Sequence, residues 1–303
     1  MMTGRRWVPA PRPLRVNGMY GFGDNLMQRP FIRAASSNRD VYLQTPWPEL
    51  YADLPRVKPV RSSTALRTQA INEARWRGRW HQPPGGVRQS RLRYGPSHLE
   101  TGNIYQAFES QLPLDGCPLI MDLPPLPAPP IDTGGKPLAV VKPVTARSEW
   151  LNTARNPLPE YVCQVSDALA ATHHVVAIGH LEEGQEWLEG DMPVADDVFM
   201  RGELTTMQAL SLVASADVVV GGVGWIVPAA IAAQRPAFII LGGQGAHNAP
   251  EKITDPRLDL SRIEFAIPDL YCRCSEKTHN CERQITGLMP QFEAWAHSQG
   301  VPL

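Results

Sequence analysis

The sequence predicts an α/β fold built from two parallel-sheet halves, on three observations. In the second half, strand-like apolar runs at 138–141, 175–179, 217–220 and 237–241 alternate with helical spacing at 161–171, 205–215 and 226–233. Such alternation implies a parallel sheet covered on both faces. The first half opens as strand, tight turn and helix. Between the halves, residues 124–130 hold five prolines, and Gly134 and Gly135 follow. A stretch of that kind is a stiff spacer that cannot enter a sheet interior. The 303 residues therefore divide into a first domain over 1–123, a linker over 124–136 and a second domain over 137–303.

Taken in order, residues 1–13 carry three prolines and three arginines and are expected on the surface. Residues 14–60 read as strand, helix, strand, short helix or loop, and strand. The first helix places Leu26, Met27, Phe31 and Ile32 at apolar spacing, with Pro30 inside it. A helix over 65–77 is broken by Pro83, Pro84, Gly85 and Gly86. Residues 119–123 read as the last strand of the first domain. In the second domain Val162, Val165 and Leu169 share one helix face, as do Met207, Leu210 and Val213. A helix over 282–297 closes the chain.

Bulk properties narrow the function classes. The formal net charge is −1, so whole-chain charge singles out no partner. No apolar run reaches the roughly 18 residues of a membrane span, and the basic N-terminus lacks the apolar core of a secretory signal. Five cysteines, three of them near the C-terminus, argue against a disulfide framework and for a reducing, cytoplasmic compartment.

The first turn carries the chemistry. Gly18, Gly21 and Gly23 precede Asp24 at the end of the first strand. Glycines let the backbone approach a ligand closely, and the free N–H groups of the helix start favour negative charge. Asp24 is expected at the N-cap, at the strand end where open α/β sheets bind ligands. Lys142 follows the strand at 138–141, with Thr145 and Arg147 close behind, a set suited to a diphosphate. A second glycine-rich helix start spans Gly222, Gly224 and Trp225, and Gly243 lies in a loop expected to face the same cleft, with His247 beyond it.

A third feature is basic. Between Arg56 and His98 stand nine arginines and one lysine against the single acid Glu73, interleaved with Trp76, Trp80, His81 and Tyr94. Cations with aromatic rings among them suit a polyanion. Arg75, Arg77 and Arg79 would share one side only in an extended loop, which would leave Trp76 and Trp80 free to stack on an exposed base. Finally, Cys272, Cys274, His279 and Cys281 could supply four zinc ligands, at a spacing that is not that of a standard finger.

Gly21, Phe22, Gly23 and Asp24, with Leu26, Pro30, Arg33 and Ala34, resemble the opening of the ADP-heptose–lipopolysaccharide heptosyltransferase family. The likeness continues through 41–46 and 54–60. The segment 220–236 also aligns with a family segment carrying Gly-x-Asp-Ser-Gly-x-x-His. There Val223 stands where the family has the aspartate and Pro228 where it has the histidine. The resemblance implies a GT-B fold: two Rossmann-like domains with parallel sheets facing a central cleft, and a final helix that can cross back to the first domain. It implies an inverting glycosyltransferase that needs no metal for chemistry and uses a nucleotide-sugar donor. Asp24 would be the catalytic base. Lys142, Thr145, Arg147, Gly222, Gly224, Trp225 and Gly243 would bind the donor. Gly21, Gly23, Arg75, Trp76, Arg77 and Trp80 would meet a polyanionic acceptor, either a saccharide of lipopolysaccharide type or, in a phage-like enzyme, DNA with hydroxymethylated bases. The departures at Val223 and Pro228 put ADP-heptose itself in doubt and leave a degenerate, binding-only protein as a further alternative.

Overall fold

The computed structural model describes residues 12–114 and 116–303, so the surface placement expected for the start of the chain lies largely outside the described residues. β1 (Leu14–Asn17) leads into α1 (Phe22–Ala35) and β2 (Val41–Gln44). After a 3-10 turn at Pro48–Tyr51 comes β3 (Val57–Val60), the order the sequence predicts. α2 (Arg67–Arg75), β4 (Arg88–Arg91), α3 (Pro96–Thr101) and α4 (Ile104–Ser110) follow. The four strands form one parallel sheet in the order β3-β2-β1-β4.

One expectation for this half is corrected. Residues 119–123 form no strand. Prolines at 118, 124 and 125 cannot donate to a ladder, and the segment is pinned through side chains instead. Arg29, fully buried on α1, makes a bidentate pair with Asp53 at 2.9 and 2.7 Å and also donates to Asp122 at 2.9 Å. A buried guanidinium is tolerated only when it is paired in this way. Arg33 adds a bond to Asp122 and another to the Ile120 carbonyl. The remaining strand is β4, where only Ser90 is buried and no apolar alternation announces it.

The second half begins with β5 (Leu138–Lys142), β6 (Thr145–Arg147), α5 (Pro159–Ala170), β7 (His174–Ile178), β8 (Glu186–Leu188) and β9 (Asp197–Phe199). It continues with α6 (Thr206–Ser215), β10 (Val218–Gly222), α7 (Ile226–Ala233), β11 (Ala237–Ile240), the short α8 (Gly245–Asn248) and α9 (Pro250–Ile253), β12 (Ile263–Ala266) and α10 (Leu288–Gln299). Six of these strands form a parallel sheet in the order β12-β11-β10-β5-β7-β9, and β6 pairs antiparallel with β8. This is the doubly wound order, reversing direction between β5 and β10. In the first sheet the reversal falls between β1 and β4. Open α/β sheets bind ligands outside the strand ends at such points.

The final helix does not cross back. α10 packs on α5 and β12, and its Phe292 and Trp295 rings lie 5.1 and 5.4 Å from Phe238 of β11. That aromatic seat on the second sheet takes the whole apolar face of the helix. Among the described residues, no helix is long and apolar enough to cross a membrane.

The halves are joined by one apolar cluster. It runs from Leu14, Val16 and Leu43 through Leu26 and Phe31 of α1 to Ile226 and Ala230 of α7, and on to Val140 and Val219. α1 meets α7 end to end: Phe22 packs on Trp225 with ring centroids 5.0 Å apart, and a Cβ on Gly23 would lie 3.1 Å from the Trp225 Cα. A branched side chain at position 23 must push the helices apart. Gly23→Val is expected to destabilise by about 1–3 kcal/mol, measured as a lower urea midpoint at unchanged slope. A midpoint equal to wild type would show that the helices do not touch there.

Candidate active site

The carboxyl ends of both sheets open onto one cleft of about 1200 Å3. The first sheet contributes the turn after β1 and Tyr94 after β4. The second contributes Lys142 at the end of β5, the start of α7 after β10, and Arg155.

The turn after β1 is held rigidly from below. Asn25 donates to the carbonyls of Met19 and Gly21, each at 2.8 Å, and accepts from Thr45 at 2.7 Å and from Gln28 at 2.8 Å. Gln28 in turn accepts from the Met19 N–H and donates to the Tyr51 hydroxyl. A fully satisfied buried network of this kind fixes one geometry. α1 starts at Phe22 with Gly21 at the N-cap, so Asp24 sits within the first turn and not at the cap. Its carboxylate folds back over the helix start. A Cβ on Gly21 would overlap Asp24 Oδ2, so a side chain there would displace the carboxylate.

Tyr94 donates its hydroxyl to Asp24 Oδ1 at 3.0 Å. Burial pushes the Asp24 carboxyl above its ordinary range, while the Tyr94 bond, the Arg155 charge and the Gly21 backbone pull the other way. The negative charge of Asp24, with burial, holds the Tyr94 proton well above the usual phenol range, so Tyr94 stays a donor.

Across the cleft stand two cations. Burial, helped by Arg155 and Arg147 nearby, lowers Lys142 to about 8 against the pull of Glu186. Burial likewise lowers Arg155, whose Nε is buried without a partner. Among the described residues neither makes an ion pair. Thr145 and Arg147 also line the cleft, but both are turned to Glu186, Thr145 at 3.2 Å. Glu186, 7% exposed, also takes Arg67 of α2 at 2.6 Å. Gly222 and Trp225 line the cleft at the start of α7, and Gly224 has open space above it. Gly243 is not on the cleft surface: it lies against Cys281.

The basic stretch is divided among several tasks. Arg75, the last residue of α2, lines the cleft and donates to the Gly202 carbonyl at 3.3 Å. Arg77 and Arg79 are exposed in the irregular segment that follows, as the loop reading expects. The tryptophans are not free. Trp76 and Trp80 pack edge-on with centroids 6.5 Å apart, Arg61 lies over Trp80, and Trp76, Arg77 and Trp80 are absent from the cleft lining. Arginines reach a surface recess elsewhere: Arg88, Arg91, Arg93 and His98 line a space of about 460 Å3 along β4, and Arg91, Arg93 and Tyr94 continue into the cleft.

Three functional side chains escape the sequence reading. Tyr94 registers there only as one aromatic among arginines, Arg155 lies in an unpatterned stretch, and Glu186 shows its role only once β8 is paired with β6. The strand order that brings them together leaves no mark in the sequence.

The C-terminal cluster is compact. Cys272 Sγ lies 3.5 Å from His279 Nδ1, Cys274 Sγ 3.5 Å from Cys281 Sγ, and His279 Nδ1 3.2 Å from Cys281 Sγ. All four ligand atoms fall within 4.8 Å of one another. Bond lengths of about 2.3 Å to sulfur and 2.0 Å to nitrogen in a tetrahedron require ligand separations of roughly 3.5–3.8 Å. Two of the separations lie in that range, and the set could hold one tetrahedral, thiophilic ion with the others, from 3.2 to 4.8 Å, adjusting around it. None of the five cysteines is joined in a disulfide.

No protein-family model matches the chain, and no curated protein matches it. Solved structures do. The dodecameric iron-containing heptosyltransferase TibC, solved in complex with ADP-D-β-D-heptose, superposes with a TM-score of 0.64 at 14% identity, over 95% of this chain and 77% of its own. A glycosyl transferase family 9 protein of Veillonella parvula gives 0.57 at 10% identity, over 95% and 97%. The E. coli ADP-heptose lipopolysaccharide heptosyltransferase II gives 0.54 at 12%, over 95% and 99%. At these identities the likeness is one of architecture: the chain has the GT-B fold of the heptosyltransferases.

Proposed function

We propose that the chain is an inverting glycosyltransferase that moves a sugar from a nucleotide-sugar donor to a hydroxyl of a polyanionic saccharide acceptor. One observation carries this reading. A carboxylate held by a tyrosine faces two unpaired cations across the cleft of a fold shared with proteins that handle ADP-heptose.

The acceptor hydroxyl gives its proton to Asp24 as its oxygen attacks the anomeric carbon. The bond from that carbon to the diphosphate oxygen breaks on the opposite face, which inverts the centre. The raised affinity of Asp24 for a proton suits a general base working near neutral pH. Tyr94 orients the carboxylate. Lys142, Arg155 and the N–H groups at the start of α7 meet the charge that develops on the departing diphosphate. These groups do the work a divalent ion would otherwise do, so the transfer step runs without one. Thr145 and Arg147, held by Glu186, shape the wall behind the diphosphate. The arginine recess along β4 favours a phosphorylated acceptor because it leads directly to Tyr94 and Asp24. The tryptophans that would serve a flipped DNA base are engaged with each other and with Arg61, so nothing favours the DNA reading. Cys272, Cys274, His279 and Cys281 hold one structural ion, apart from the reacting atoms.

Asp24→Asn is expected to lower turnover by about 100- to 10,000-fold, the usual contribution of a general base, with donor affinity unchanged. The same variant should melt higher than wild type at neutral pH. The folded-state carboxyl titrates above its ordinary value, so its ionised form costs stability at every pH above the unfolded value, and the amide removes that cost. Calorimetry and turnover on one preparation check both; near-normal turnover would make Asp24 a structural group.

Lys142→Ala should weaken nucleoside diphosphate binding by about 1.5–3 kcal/mol, the loss of a charged hydrogen bond. In wild type, affinity should fall as pH rises through about 8, where the ammonium is lost. Lys142→Arg should move that fall to higher pH. A pH-independent affinity would remove Lys142 from the donor site.

A further inference from the structure

Residues 272–281 have almost no core of their own. Cys281 is buried, Cys272 and Cys274 are half-buried, and the other residues between them are exposed. Yet this loop is bonded to the cleft wall at every turn. The Cys272 carbonyl accepts from the Gly245 N–H at 2.9 Å, and the Cys274 carbonyl from the Ala246 N–H at 3.2 Å. The Ser275 carbonyl accepts from Gln244 Nε2 at 3.3 Å, and the Lys277 carbonyl from the Ala154 N–H at 3.0 Å.

The wall is thin where the loop presses on it. Cys281 sits against Gly243, where any Cβ would overlap its side chain. A Cβ on Gly242 would likewise overlap the carbonyls of Arg155 and Asn156, and the Gly243 N–H donates to the Ala154 carbonyl at 2.6 Å. The cysteine loop therefore meets the segment that carries Arg155 in two ways, directly at Ala154 and through the two glycines after β11. Gln244 beside them has φ of 55°. A non-glycine residue in that region costs on the order of 1–3 kcal/mol and persists only where its surroundings hold it. Asn152 and Asn248 hold its Oε1 at 2.8 and 2.7 Å, and both line the cleft.

We propose that the ion held by Cys272, Cys274, His279 and Cys281 is the fastener of the donor side of the cleft. Metal loading sets the position of Arg155 and of the 242–248 loop, and through them the affinity for the nucleoside diphosphate. This rests on the structural-ion reading given above. A loop without an apolar core takes its fixed shape from the ion, because binding free energy becomes folding free energy. Here that shape reaches the segment of a cleft cation through the Lys277–Ala154 bond and through the backbone of Gly242 and Gly243.

The test uses the purified full chain in three states: as isolated, chelator-stripped, and re-loaded with zinc(II) or, without oxygen, iron(II). Elemental analysis of the first state should find about one equivalent of zinc or iron and say which. Stripping should speed hydrogen exchange about tenfold or more at the amides of Ala154, Gly243, Gly245 and Ala246, with β1–β3 unchanged. Re-loading should reverse it. Among ADP, UDP and GDP, the one that binds should bind about tenfold more weakly after stripping and recover on re-loading. Cys281→Ser should copy the stripped state, and Cys163→Ser, outside the cluster, should not. Faster exchange confined to 272–281, or unchanged diphosphate affinity with the metal gone, would overturn the fastener while leaving the ion in place. Loss of protection in β1–β3 would also overturn it, by making the ion a requirement of the whole fold. A chain that neither contains nor takes up metal would overturn the ion itself. If none of the three diphosphates binds the loaded protein, the donor reading fails, and exchange at 152–156 and 242–248 still decides the coupling.

Discussion

The close approach of two helix starts governs this molecule. α1 leaves the first sheet and α7 leaves the second, and they meet where Gly23 lies against the backbone of Trp225. Each helix begins at the carboxyl end of a strand beside its sheet's reversal point. Joining them there sets two ligand-binding edges face to face. Phe22 between Trp47 and Trp225 makes the joint apolar, so it belongs to the same core that supports both sheets. Asp24, one residue past Gly23, is carried into the cleft by that contact.

Desolvation then gives the site its charge logic. The same burial that raises Asp24 lowers Lys142 and Arg155. In each case burial opposes the ionised form, and a ligand of the right charge would relieve it. In the proposed reaction a diphosphate would neutralise the cations, and an acceptor hydroxyl would give the carboxylate something to accept from. By contrast, Arg147 and Arg67 are already satisfied by Glu186, a carboxylate that ties α2 of the first half to β6 and β8 of the second. One set of cations holds the structure together and the other is left for the ligand.

Much of this was legible in the sequence, for identifiable reasons. β5, β7, β10 and β11 are apolar on both faces and read as buried strands; the turn before Asp24 shows in its glycines. β4 was not legible, because three of its four residues face solvent. Residues 119–123 looked like a strand because they are apolar, yet flanking prolines and the Arg29 and Arg33 pairs with Asp122 hold them outside any ladder. Lys142, Thr145 and Arg147 stand out in the sequence by their place at the end of a buried strand, and all three line the cleft. Their division into a free cation and two groups tied to Glu186 depends on the β6–β8 pairing, which local pattern does not encode. Tyr94 and Arg155 needed the strand order. The cysteine cluster was visible by type, while its link to the cleft runs through backbone carbonyls that carry no sequence signature.

In the proposed site Asp24 and the two free cations face one another across a bound donor. A crystal structure of the chain with a bound nucleoside diphosphate tests this arrangement most directly. The diphosphate is expected within hydrogen-bond distance of Lys142, Arg155 and the backbone N–H groups at Gly224 and Trp225, with the Asp24 carboxylate open on the opposite wall. A diphosphate seated in the β4 recess, or an Arg155 paired with Asp24 while the ligand lies elsewhere, would contradict it.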